Sequence, residues 1–216
     1  VTTHRFFRGD PTQPREEVLP GGLTKFGPAW QLPADASEPE RRLRLAEWTV
    51  SPANPLTPRV IVNRLWHYHF GAGIVDTPSD FGVNGGPPSH PALLDWLAVE
   101  LVDPASSADR WRLKRIHRLI VTSRAYRQTS AATPTALAAD SDSRLLWRYP
   151  PRRLEAEPLR DAILAVSGSL NPQRGGPGFD LFEPNTNYVK VYNTKTTFTA
   201  DDFRRMVYQA KPRAEL

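Results

Sequence analysis

The chain has 216 residues, 39% of them hydrophobic and 24% charged, an ordinary balance for a domain large enough to bury one continuous core. It has no cysteine, which excludes disulfides, thiolate metal sites, a cysteine nucleophile and covalent haem attachment through C-x-x-C-H. The net charge is +5 and only five of the 28 cations are lysines, so nucleic acid, anionic glycans and internal carboxylates all stay open as partners of the arginines.

No run approaches the roughly 20 apolar residues of a membrane-spanning helix. No charged segment followed by an apolar stretch opens the chain, and its first residues, Val1 to Phe7, read like the interior of a longer protein. The 22 prolines, about twice the usual share, predict long irregular connections.

In chain order, residues 1–36 hold one strand-like run, Thr3 to Phe7, and then proline and glycine turns. They read as an extended arm or linker ahead of a helical domain over residues 37–216. The first helix starts at the capping box Ser37-Glu38-Pro39-Glu40 and runs to about Val50, with Leu43, Ala46 and Val50 on one face. Thr57-Pro58 starts the second, which ends at Gly71. A long loop, Asp76 to Pro88, leads to Ser89, the expected cap of a third helix reaching Val102 with a stripe of Leu93, Leu94, Leu97, Ala98 and Leu101. The fourth spans about Trp111 to Arg124 with Leu113, Ile116 and Ile120 inward. Residues 130–143 read as mobile. A fifth helix, about Leu154 to Leu170, turns Leu159, Ala162, Ile163 and Val166 to the core. A short strand, Tyr188 to Tyr192, is expected to pair with the arm, and Thr199 with Asp202 caps a last helix. The fold class is mainly α: an irregular bundle of five or six helices with an extended arm and a small two-stranded element.

Two of the five histidines, His67 and His69, stand two residues apart on the second helix. Such residues point about 200° apart, so they cannot hold one metal as an i,i+4 pair would. His69, in the last turn, suits a helix-capping cation; a single axial haem ligand is the alternative. His117 leans toward the apolar side of its helix and needs a partner there, expected to be a carboxylate or a backbone carbonyl. Glu157 and Asp161 lie four apart on one face, between Arg152, Arg153 and Arg160. That spacing can serve acid–base work or a cation, but the arginines favour an internal salt-bridge network. Glu157, Asp161 and His117 are the least unfavourable acid–base candidates, and no metal site is expected. Arg110, Arg112, Lys114, Arg115 and Arg118, with Trp111 beside them, form a basic helix face, and Arg112, Arg115 and Arg118 are its candidate ligand-binding residues. No helix-turn-helix and no stacking platform accompany it, which argues against nucleic acid. No Walker loop or G-x-S-x-G elbow occurs, and Asp80-Phe81-Gly82 lacks the rest of a kinase.

Three strings resemble one family: residues 54–102, "NPLTPRVIVNRLWHYHFGAGIVDTPSDFGVNGGPPSHPALLDWLAVELV"; residues 111–130, "WRLKRIHRLIVTSRAYRQTS"; and residues 143–170, "SRLLWRYPPRRLEAEPLRDAILAVSGSL", with Ser143 where the family usually has asparagine. They are similar to planctomycete-specific domain one, a domain of unknown function, and "RGDPTQPREEVLPG" resembles the arm that precedes it. The resemblance implies an exported protein, periplasmic or at the cell surface, in which a separate domain carries c-type haem. It also implies a domain that usually runs past Leu216 and gene neighbours resembling sulfatases. It supplies no catalytic residue. The expected function is a non-catalytic interaction or scaffold domain of a cytochrome-associated protein, binding other domains of its parent and anionic polysaccharide through its arginines and the Asp76 to Pro88 loop. The alternatives are a polysaccharide-active enzyme domain and a redox accessory donating His67 or His69 to a neighbouring haem.

Overall fold

The computed structural model describes residues 3–23, 25, 29–183 and 193–210. They form two compact units, residues 1–151 and 152–216.

In the first unit, strands β1 (His4–Phe6) and β2 (Pro14–Glu17) pair antiparallel, with His4 opposite Glu17 and Phe6 opposite Pro14. The two-stranded element thus closes locally, clasped across its strands by Arg5 and Glu16. The expected partner, Tyr188 to Tyr192, lies outside the described residues.

Helix α1 (Glu38–Thr49) begins where the sequence places it, yet Ser37 makes no capping bond. Its apolar face stays in solvent: Leu43 is 60% and Val50 51% exposed. Helix α2 (Leu56–Phe70) starts before Thr57, with Pro55 at its N-cap, and the buried Asn54 just ahead of it accepts from Leu56 N (3.0 Å). It ends on Gly71 at φ 86°, the left-handed conformation glycine adopts without strain.

Helix α3 (Pro91–Val102) has His90, not Ser89, at its N-cap; Ser89 N instead donates to Ile74 O (2.9 Å). Helix α4 (Leu113–Thr122) is shorter than expected, because Ser123 ends it and caps α5 (Arg124–Arg127) through its side chain. Residues 130–143 are not featureless: Thr133 caps α6 (Pro134–Ala139), accepting from Ala136 N.

Helices α2, α3 and α4 pack together around Val62, Leu65, Trp66, Phe70, Leu94, Leu97, Leu101, Ile116 and Ile120. Leu113, expected inside, is 44% exposed. The chain leaving α2 is clamped from two directions. The fully buried Asn63 donates Nδ2 to Val75 O (2.9 Å) and accepts from Val75 N at Oδ1 (2.8 Å). Arg144 donates to Gly73 O (2.6 Å) and Ile74 O (3.1 Å). A methyl group at Gly73 would collide with Val75 O and the Asn63 amide.

The second unit opens with α7 (Ala156–Val166), followed by bridges joining Asn171 to Arg204 and Phe179 to Gln209. The expected capping box at Thr199 is present, but the element it starts is one 3-10 turn, Ala200–Phe203. The α7 residues expected in the core are solvent-exposed: Leu159 49%, Ile163 55%, Val166 88%, and Ala162 likewise exposed. Phe179 is the buried apolar side chain among this unit's described residues, alongside buried Asp202 and Arg204.

Candidate functional site

The α4 face is built by a simple division of its turns. Ile116 (0% exposed) and Ile120 (1%) seat the helix on the core, so residues on the opposite side, Lys114 and Arg118 four apart, must face solvent. Arg112, at the N-cap, is also exposed, its Nη1 reaching only 3.4 Å from Asp109 Oδ1. Arg115 behaves differently. It is half-buried, donates to Glu100 O (2.9 Å), pairs with the Glu100 carboxylate and approaches Asp109. The predicted trio therefore divides: Arg118 is available, Arg112 is exposed but pairs with Asp109, which also lines the groove, and Arg115 anchors the helix. Lys114 and Arg118 carry no ion pair among the described residues. Together with Leu113 and Leu119 these cations line an open groove, and the amino end of α4 adds positive potential there.

The histidines do not behave as separate groups. His69 Nε2 and His117 Nδ1 lie 2.8 Å apart, with ring planes 72° to each other. The partner expected for His117, a carboxylate or carbonyl, is another imidazole, brought from 48 positions away by the α2–α4 packing. Tyr126 meets the His69 ring edge-on at 5.7 Å, and Tyr149 donates its hydroxyl to His69 O (2.9 Å). Phe70, Tyr126 and Tyr149 stack around one another at 5.1–5.8 Å. The contact to His117 engages Nε2 of His69. The Nδ1 of His67 is buried with no hydrogen-bond partner among the described residues, and its ring meets Tyr68 edge-on at 5.9 Å. His90 Nδ1 contacts Ser89 Oγ at 3.0 Å.

In the second unit Asp161 spends both oxygens, accepting from Met206 N (2.8 Å) and Arg205 Nε (3.0 Å). Glu157 lies one turn earlier, half-buried. Asp161 and Arg160 thus draw partners from residues 202–206. Arg160 donates to Asp202 O (2.6 Å) and Arg204 O (3.1 Å). Arg204, 3% exposed, donates to Pro177 O (2.9 Å) and to Gly175 O and lies 4.1 Å over the Tyr208 ring. The backbone N–H of Thr199, then the Lys195 ammonium, hold the Asp202 carboxyl below the usual carboxylate range.

Sequence reasoning missed the histidine pair, the Arg144 clamp and the Arg204 staple. Each joins residues at least 27 positions apart, and no local period marks such a contact. Among the described residues no group of three or more histidine, cysteine or carboxylate side chains could hold a metal, and no helix is long and apolar enough to cross a membrane.

The chain belongs to the PSD1 family, proteins of unknown function (DUF1553), whose family model matches residues 41–216. This is the family that the three strings around α2–α3, α4–α5 and α7 resemble. No functionally curated protein and no solved structure matches the chain.

Proposed function

We propose that this PSD1 domain is a non-catalytic binding and scaffold module whose α4 face recognises polyanionic polysaccharide. The observation that carries the reading is the groove at α4: Arg112, Lys114 and Arg118 stand exposed around Leu113 and Leu119 while Arg115 is tied to Glu100. Guanidinium forks match sulfate and carboxylate geometry, and the leucines offer apolar surface to the carbon face of a sugar ring. The module works in an exported, cytochrome-associated parent protein, at the periplasm or cell surface, where any c-type haem belongs to a separate domain. The rigidly hydrogen-bonded Asp76 to Pro88 loop, braced by Thr77 and Asp80, supplies a contact surface toward the parent's other domains.

Two features weigh against the rival activities. An acid–base role for Asp161 would compete with its two structural bonds, and a haem-ligand role for His69 with its contact to His117.

The deciding experiment is titration of the purified chain with dextran sulfate and with neutral dextran at fixed ionic strength. Binding to the sulfated polymer alone, weakened at least tenfold by Arg112→Ala plus Arg118→Ala, is the expected result. Equal behaviour of both polymers, or no loss in the double variant, would overturn the reading.

A further inference from the structure

Helix α2 turns one row of side chains away from the core. Leu56, Val60 and Arg64 stand four apart, so they lie above one another on one side of the helix. Across from them the loop after Asp76 brings Pro78, Ser79 and Phe81, and the two walls line an open groove of about 340 Å³. That volume falls at the small end of ligand-sized clefts, about 300–1,000 Å³. Both walls are fixed. The helix carries the core, and Phe81 packs against that core from the loop side. Within the loop Thr77 Oγ1 donates to Asp80 O (2.8 Å) and accepts from Gly86 N (2.9 Å). Gly85 and Gly86 pass so close to Asp80 O and the Asp76 carboxylate that a methyl group at either would collide. The groove is therefore formed before anything binds in it.

Its chemistry is lopsided. Arg64 is the single charged side chain lining it among the described residues, and that exposed guanidinium has no hydrogen bond or ion pair among them. The other arginine of α2, Arg59, is spent on Asp95 Oδ1 (2.7 Å) and Pro55 O (2.8 Å). In the loop Asp80 Oδ1 accepts from Gly82 N (2.8 Å). Ser79 adds an exposed hydroxyl, and the remaining lining side chains are apolar. Val83, one residue past Gly82, stands wholly in solvent. A guanidinium fork takes a carboxylate bidentately, and the apolar walls favour burial of an apolar group beside it. A sugar ring would bring a hydroxyl on most of its carbons, and no lining side chain besides Arg64 and Ser79 could pair with them. The complementary ligand carries one carboxylate next to one large apolar group.

We propose that the groove between α2 and the Asp76 to Pro88 loop docks a peptide segment of the parent protein's other domains in which an aspartate or glutamate adjoins a large apolar side chain. The carboxylate binds Arg64, and the apolar side chain lies between Val60 and Phe81. This rests on the reading of the loop as the surface facing those domains, and it names the partner's chemistry. The division of labour with α4 is one of charge density: α4 takes a polymer charged along its length, and the α2 groove takes one charge with an apolar neighbour.

The test is nitrogen-15 NMR titration of the full chain with the peptide acetyl-Gly-Ser-Glu-Phe-Ser-Gly-amide and two variants of it, one with Gln for Glu and one with Ala for Phe. Amide resonances of residues 56–64 and 78–82 should shift with the first peptide, and either change should weaken binding at least fivefold. Arg64→Gln in the chain should weaken the first peptide at least fivefold and make the Glu and Gln peptides equivalent. Its unfolding midpoint should stay that of wild type, as for other unpartnered surface side chains. Equal binding of the Glu and Gln peptides to wild type, equal binding of the Phe and Ala peptides, or no shift at the groove with any peptide would each overturn the proposal. So would shifts at these residues with dextran sulfate in place of the peptide. Amide exchange of residues 76–88, compared between the intact parent protein and this chain, separates the two readings. Slower exchange in the parent without peptide binding at the groove would end the peptide proposal and leave the loop a contact surface. Equal exchange in the two would overturn both.

Discussion

Asn63 shows how much one side chain can decide. Its amide satisfies both the N–H and the C=O of Val75, in a place where no water reaches, at the point where the chain leaves α2 and turns back toward α3. Removing it orphans two buried backbone groups, at about 1–3 kcal/mol each. Asn63→Ala should therefore lose about 2–6 kcal/mol in urea unfolding, with an unchanged dependence on denaturant. Asn63→Asp should also be destabilised, because a carboxylate can accept from Val75 N but cannot donate to Val75 O. Wild-type stability in both variants would mean that Arg144 alone holds the turn. The residue was visible in the sequence only as one of several polar positions on an apolar helix. Nothing local announces that its amide matches the backbone of a residue 12 positions on.

At the scale of elements, the legible parts were those whose partners are encoded by a period. The stripe of α3 and the Ile116–Ile120 seat of α4 recur every three or four residues, and both are buried. The same rule failed for α1 and α7, because a period identifies an apolar face but not whether another element covers it. Leu43 and Val166 show the limit. The second unit relies instead on polar staples, and its acid sensitivity follows from them. Asp202 is held below the usual carboxylate range by the Thr199 N–H and Lys195. A carboxyl whose folded value is depressed contributes stability that is present above its unfolded value of about 3.9 and is lost as the pH falls through the folded value. Amide exchange of residues 199–206 should thus accelerate below about pH 4 in wild type. Asp202→Asn should already exchange faster at pH 7 and show a flatter acid response. Identical pH profiles would remove Asp202 from the account. On α4 the two faces should separate cleanly: Ile116→Ala should cost about 2–5 kcal/mol through the cavity it opens. Arg118→Ala, on the exposed face, should change stability by less than about 0.5 kcal/mol while weakening polyanion binding. A destabilised Arg118→Ala would make that arginine a packing residue.

For the whole molecule the question is whether the net charge of +5 or the local arrangement at α4 attracts an anionic chain. The two sources answer differently to salt. A diffuse excess spread over the surface acts across distances greater than the Debye length of about 8 Å at physiological salt and is largely screened. Cations in contact with the polymer instead release condensed counterions, each contact adding up to about −0.9 to the slope of log K against log salt on a densely charged chain. Three contacting cations, Arg112, Lys114 and Arg118, therefore predict a slope of about −2 to −3 for dextran sulfate. The Arg112→Ala plus Arg118→Ala variant should fall toward about −1, the contribution of Lys114 alone. A control, Arg152→Ala plus Arg153→Ala, removes the same two charges from an exposed stretch of the second unit and should leave the slope unchanged. If the control lowers the slope as much as the α4 variant, the attraction belongs to the net charge and the groove has no special claim. If only the α4 variant lowers it, recognition is local, and Arg112, Lys114 and Arg118 act together at the exposed side of α4 because Ile116 and Ile120 hold its other face inside.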